Sequence, residues 1–176
     1  IIGNIEYATT LFSYFSLLGL LGIYNYGLRE ISRYRDKQGV VENISKNLFA
    51  IGIISNLFFF ILFEFFVYKF IDDFLLRNIM FVQGLGLIAQ IFSVEWVNEA
   101  FEDFRFITIK TVIIRAISVI AIFICVKDSS DYMIYVLITV LVLFVNNIVS
   151  LIYVKHNINL SIKKIFLNLN LKHYIV

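Results

Sequence analysis

The sequence predicts an all-α, polytopic transmembrane helical bundle with five spans, and three observations carry that prediction. Of its 176 residues, 60% are hydrophobic and only 16% are charged, with a mean hydropathy of +0.87, far from the balance of a water-soluble domain. Five apolar stretches approach the roughly 20 residues that a helix needs to cross a bilayer core about 30 Å thick. None shows a strong period-two alternation, so they read as helices and not as barrel strands, because lipid offers no partners for exposed backbone groups.

The stretches are residues 7–27, 48–68, 78–97, 107–126 and 132–154. Links of about 5 to 20 residues make successive helices antiparallel neighbours. In the first, Ser13, Ser16, Gly19 and Gly22 form a ladder of small residues suited to close helix approach. Amides recur along the spans at Asn25, Asn56, Gln83, Gln90, Asn146 and Asn147, where such groups hydrogen-bond between helices. Between the third and fourth stretches lies a charged elbow, EWVNEAFEDFRFITIKTVIIR over residues 95–115. It sets Glu95, Glu99, Glu102 and Asp103 against Arg105, Lys110 and Arg115, and holds the only Trp of the chain. After the fifth stretch, Ile158, Ile162, Ile165, Phe166 and Leu169 fall on one helical face with Lys163 and Lys164 away from it, the pattern of an interfacial helix. The chain thus divides into a five-helix membrane part, residues 1–157, and a connector, residues 158–176. With no Met at position 1 and no leader pattern, it reads as a piece of a longer protein with one helix upstream.

Orientation follows from Lys and Arg, which resist translocation. Alternate links collect Arg29, Arg33, Arg35, Lys37 and Lys46, then Arg105, Lys110 and Arg115, then Lys155, Lys163, Lys164 and Lys172. The opposite links hold only Lys69, Arg77 and Lys127, the remaining three of the 15 cations. The basic side is the expected cytoplasmic one, which places the N-terminus of this chain outside and its C-terminus inside. The net charge of +2 gives no reason to expect a nucleic-acid partner.

Charges inside spans are the candidate functional groups, since each costs about 2.5 to 3.5 kcal/mol on insertion scales and calls for a partner, a wet cavity or an escape to the interface. Arg115 lies about 12 Å into the fourth stretch at 1.5 Å per residue. Two readings fit it: a cation facing a solvated cavity that awaits an anion, or a side chain that snorkels or pairs with Glu95 or Glu99. Lys110, one turn inside, snorkels or contributes to the same cavity. The two stand about 140° apart around the helix and share no narrow face. Glu64, and Glu6 near the outer end of the first span, are carboxylates able to titrate as ion-coupling groups or simply to be solvated. Asp72 and Asp73 form an acidic pair that reads as a solvated loop, or as the base or metal carboxylates of a membrane glycosyltransferase. His156 and His173 lack acidic or cysteine partners at ligand spacing, and no glycine-rich phosphate loop or nucleophile elbow occurs. The sequence calls for no cofactor and no metal. Cys125 has no disulfide partner.

YGLREISRYRDK (residues 26–37), EWVNEAFEDFRFITIK (95–110) and VKDSSDYMIY (126–135) together resemble the Wzx-type O-antigen and polysaccharide flippases of the multidrug/oligosaccharidyl-lipid/polysaccharide exporter superfamily. In that family a Tyr-Gly-x-Arg-Glu segment ends the second transmembrane helix, and a Trp followed by Glu-Asp-Phe and Ile-Thr spans the junction of the fourth and fifth. The chain departs from it at Ala100, commonly Gly there, and at Asn98 with Glu99. The resemblance implies helices two to six of the first lobe of a 12–14 helix, two-lobe transporter in the bacterial inner membrane. It implies a flippase and not an enzyme, moving an undecaprenyl-pyrophosphate-linked oligosaccharide by alternating access. Its partners would be that lipid-linked oligosaccharide, membrane lipids and a second lobe. Arg115, Lys110 and Arg29 are then the candidate substrate-binding cations and Glu64 the candidate ion-coupling group. A related drug exporter, a glycosyltransferase or polymerase, and an inactive fragment are the alternatives.

Overall fold

The computed structural model describes residues 1–157, and these form an all-helical membrane bundle without strands. Seven α-helices follow in order: α1 (Ile2–Leu20), α2 (Ile23–Arg33), α3 (Gln38–Phe70), α4 (Phe74–Gln90), α5 (Glu95–Ala100), α6 (Phe104–Cys125) and α7 (Tyr132–Asn157), with a 3-10 turn, Ser129–Asp131, before α7. The interfacial helix expected over residues 158–172 lies outside the described residues.

Five long rods replace the five expected stretches, with shifted ends. Helices α3, α6 and α7 are long and apolar enough to cross a membrane, and α1 with α2 makes a fourth crossing if the bent pair counts as one span. Helix α4 has 17 residues, about 25 Å of helix, at the lower end of what a bilayer core requires. The first span breaks where Leu21 and Gly22 both take left-handed backbone, φ 46° and 70°, and the two pieces meet at 41°. Gly22 therefore turns the chain instead of extending the small-residue ladder. Most of the first basic link is helical: α3 starts ten residues before residue 48, so Lys46 sits on α3 and pairs with Glu42 one turn earlier at 3.9 Å.

The third span shows how hydropathy alone misplaces an end. The apolar run continues past Gln90 through Ile91, Phe92, Val94, Trp96 and Val97, yet the helix stops at Gln90. Val94, Trp96 and Val97 are instead buried in a core of their own, with Ile23 and Ile31 of α2, Val41, Ile44, Leu48 and Phe49 of α3, and Val154 of α7. A second core at the other end of the bundle gathers Ala8, Phe63, Val67, Ile79, Met80, Leu87 and Val136. Helix α4 is the central rod, packed on α1, α3 and α7.

Two hydrogen bonds fix the pairing of α1 with α4. Gln83 Nε2 donates to Thr9 Oγ1 and Gln90 Nε2 to Ser16 Oγ, both at 2.8 Å. Both partners advance by seven residues in the same direction, two helical turns on one face, so α1 and α4 run parallel. That is what a chain crossing back and forth requires of its first and third rods. Helix α6 is the least covered. Lys110 is its only buried residue, while Val112, Ile113, Ile117, Ile120 and Phe123 are exposed.

Trp96 packs where Gly27 has no side chain: a Cβ on Gly27 would lie 2.5 Å from Cε3 of the indole. The expected outcome of Gly27→Ala is a loss of about 1 to 3 kcal/mol through overpacking, read as unfolding of the purified protein in detergent. In a Trp96→Leu background the same substitution should cost less, because the space is released. An equal cost in both backgrounds would show that the indole is not what the alanine meets.

Candidate functional site

The elbow is built from side chains that tie four segments together. Helix α5 turns Trp96 inward, and the indole Nε1 donates to the Ser93 carbonyl at 3.2 Å, which closes the break after α4. Glu102 then takes left-handed backbone at φ 60°, a conformation rarely adopted by a residue with a Cβ. Its carboxylate accepts from Arg35 Nη2 at 2.9 Å, joining the elbow to the α2–α3 turn. This hydrogen bond from Arg35 holds the Glu102 carboxyl below the usual glutamate range. The Glu102 side chain is 67% exposed, so the bond gives direction more than stability. Asp103 accepts a hydrogen bond from the Tyr153 hydroxyl of α7, and the Tyr153 ring stacks on Phe106 with centroids 3.5 Å apart.

Lys110 is the buried charge of this assembly. Its side chain is 2% exposed, and its ammonium donates to Glu95 Oε1 at 2.9 Å and to Ser150 Oγ at 2.6 Å. It lies 5.8 Å from the Phe106 ring centroid, within cation–π range. The snorkelling expected of Lys110 therefore does not occur: its stem leads inward to a carboxylate, not outward to solvent. Glu95, one of the two acids expected to neutralise Arg115, is taken by Lys110 instead.

Arg115 is exposed and has no ion-pair partner among the described residues. It stands eleven residues after Phe104 and ten before Cys125, so it occupies the middle of α6, about 16 Å from the helix start. Arg29 lies near the end of α2 with its side chain 71% exposed, against Glu30 at 3.3 Å and over the Tyr26 ring at 5.5 Å. No shared partner links the three cations: one is buried, one is paired at a helix end, and one is open at mid-helix. Glu64 sits on α3 with Oε1 buried and without a hydrogen-bond partner, aimed at the bare backbone of Gly84 on α4.

Several participants are not marked by charge. Ser150 and Tyr153 lie in an apolar helix forty or more residues from their partners, and only a fold makes them neighbours. The Thr9–Gln83 and Ser16–Gln90 pairs did leave a signal, since polar residues seven apart recur in two apolar segments. Asp73 caps α4, accepting from the Leu76 backbone at 2.7 Å, a structural task for one half of the acidic pair. No group of three His, Cys, Asp or Glu able to hold a metal occurs among the described residues.

The burial of Lys110 makes the pair asymmetric. Glu95 is 24% exposed and can be solvated when its partner is lost, whereas the ammonium cannot. Glu95→Ala should therefore destabilise by about 3 to 5 kcal/mol, the usual penalty for stranding a buried charge. Lys110→Met should cost clearly less, and Glu95→Ala added to Lys110→Met should cost little more. Unfolding in detergent checks the order; a Lys110→Met variant weaker than Glu95→Ala would contradict it.

No curated relative and no solved structure matches the chain. A family model described as "polysaccharide biosynthesis protein" matches residues 2–175, almost its whole length, so the chain belongs to the polysaccharide biosynthesis protein family.

Proposed function

We propose that the chain is part of the first lobe of a Wzx-type flippase that moves an undecaprenyl-pyrophosphate-linked oligosaccharide, an O-antigen or capsule repeat, across the bacterial inner membrane. The observation that carries the reading is Arg115, an unpaired guanidinium at the middle of a membrane helix. A permanent charge at that depth is retained only where it faces a wet cavity or an anion. Arginine grips phosphate oxygens through two parallel hydrogen bonds and stays charged at any accessible pH. Membership of the polysaccharide biosynthesis family supports reading that anion as the phosphate of a sugar-carrying lipid.

A pyrophosphate with a sugar head cannot cross hydrocarbon unaided, so its carrier needs a solvated path with cations for phosphate, amides for sugar and a side opening for the lipid tail. Arg115 takes the phosphate. Lys110, held by Glu95 and Ser150, fixes the elbow beneath it and reaches the substrate only if that pair opens; Arg29 marks the basic rim. Glu64 is the ion-coupling group, a carboxylate on α3 with one oxygen buried over the Gly84 backbone of α4 and without a hydrogen-bond partner. The second lobe, membrane lipids and the lipid-linked oligosaccharide are the partners, and alternating access between lobes is the movement. No covalent chemistry is involved, and the protein is a transporter.

The side of the membrane follows from charge. The Arg35–Glu102 bond places the α2–α3 turn and the elbow at the same end of the bundle, the end where the cations collect. By the positive-inside rule that end is cytoplasmic, with the N-terminus of this chain outside. Single cysteines in a Cys125→Ser background should react with an impermeant reagent at Asp72 and Ser129 in intact cells, and at Asp36 only after the membrane is opened. External labelling at Asp36 reverses the assignment.

Arg115 offers the sharper test. In a strain lacking its own flippase, the full-length transporter carrying Arg115→Ala should lose surface polysaccharide and accumulate the lipid-linked precursor, with membrane protein level unchanged. Arg115→Lys should recover part of the activity. Full transport by Arg115→Leu at normal expression would end the phosphate role.

A further inference from the structure

Helix α2 leaves the line of α1 at 41° and carries two unlike faces. Ile23, Gly27 and Ile31, each one turn after the last, are buried against the bundle. Tyr26, Arg29 and Arg33 recur at helical spacing on a different face, and all three are exposed. That face continues into the turn before α3, where two cations flank a single aromatic ring. The Arg33 guanidinium lies 5.6 Å and the Lys37 ammonium 6.0 Å from the centroid of Tyr34, both within cation–π range. Arg29 stands over Tyr26 in the same way, at 5.5 Å.

The carboxylates at this end are engaged with other cations. Glu30 pairs with Arg29, Glu102 with Arg35 and Glu42 with Lys46, while the exposed Asp36 acts on Arg35. Arg33 and Lys37 are left exposed and without an ion-pair partner among the described residues. Two like charges held beside one ring repel each other, and an anion set between them removes that repulsion. Position selects the anion. The apolar stretch of residues 7–27 matches the roughly 20 helical residues of a bilayer core, so Arg33, Tyr34 and Lys37 follow it at the level of the headgroups. Tyrosine rings with Arg and Lys are the side chains suited to that layer, each with an apolar body and a polar or charged tip.

We propose that the outer face of α2 and the turn after it form a docking surface for the phosphate headgroups of anionic phospholipids, with Arg33 and Lys37 as its centre. Arginine offers the phosphate a planar fork of donors and lysine a point charge, and Tyr34 keeps the two together. Because the opposite face of α2 is packed on the core that holds the elbow, lipid bound here steadies that end of the bundle against the membrane surface. The surface stands apart from Arg115, and its existence does not depend on what the protein transports.

The test uses the purified chain in micelles of a neutral detergent, with thermal unfolding followed as dioleoylphosphatidylglycerol or dioleoylphosphatidylcholine is added. A ligand that binds the folded form raises Tm saturably. The anionic lipid is expected to raise it and the zwitterionic one, with the same acyl chains, to do so clearly less. Each cation near a charged lipid surface is worth about fivefold in affinity, so Arg33→Gln with Lys37→Gln should weaken the phosphatidylglycerol midpoint by at least about tenfold, with Tm in phosphatidylcholine at the parent value. Lys69→Gln with Arg77→Gln, cations of the opposite end, should leave the response intact. Equal responses to the two lipids, an unchanged midpoint in the Arg33 and Lys37 double variant, or the same loss in the Lys69 and Arg77 double variant overturns the proposal. Stabilisation by inorganic pyrophosphate or by undecaprenyl phosphate, with none by phosphatidylglycerol, overturns it too and identifies the patch as a site for a free phosphate or for the carrier lipid.

Discussion

The buried ammonium of Lys110 is the constraint on which the elbow depends. A charge that is 2% exposed inside a membrane bundle is tolerated only if its partners are fixed, and the two come from two other elements, Glu95 from α5 and Ser150 from α7, so that with the lysine on α6 three elements meet. The cost of leaving any one out is what brings the short helix α5 under the long rods. Trp96 and Val97 then fill the core between α2 and α3, the Gly27 backbone receives the indole face, and Asp103 and Phe106 engage Tyr153 one turn beyond Ser150. Apolar packing supplies most of the contact. The charge supplies the register, a role best attested for buried polar groups that choose one arrangement among several of similar hydrophobicity.

The rest of the bundle is aligned by weaker means of the same kind. Between helices surrounded by hydrocarbon, burial gives little preference for one rotation over another, since lipid is as apolar as a leucine face. The Thr9–Gln83 and Ser16–Gln90 bonds select one rotation and one height for α1 on α4, and Asn147 adds a third by donating to the Ala89 carbonyl at 2.9 Å. Each bond is worth little alone. Two along α1 and one from α7, all meeting α4, they exclude sliding by a single turn, because a shift of α4 would strand several amides together.

Fold class was legible in the sequence because hydropathy over twenty residues is an average, and averages survive errors at single positions. Ends were not, because a helix stops for reasons that are local or distant. The break at Leu21 and Gly22 resides in backbone angles that a small-residue pattern does not distinguish from packing. The stop at Gln90 depends on Trp96 and Glu95 meeting residues on α2 and α6. The roles of Lys110 and Arg115 were legible to different degrees for the same reason. A separation of about 140° says that they face different ways, but which of them meets the carboxylate is decided by where α5 lies, and its position is a tertiary fact. Ser150 and Tyr153 carry no charge and no motif, so no count along the chain could single them out.

Two cations five residues apart on one helix thus meet opposite fates, and the difference is informative about what α6 does. Once Glu95 is committed to Lys110, nothing among the described residues neutralises Arg115 at the middle of the same rod. If α6 faced only lipid there, an apolar side chain would serve better by about 2.5 to 3.5 kcal/mol, and the surrounding Val112, Ile113 and Ile117 show that apolar side chains are accepted on either side of it. The retained charge argues that this segment of α6 borders something other than acyl chains. The elbow then acts as a fixed footing at one end of α6, held by Lys110. Arg115 stands about one and a half turns above it, exposed and without an ion-pair partner among the described residues.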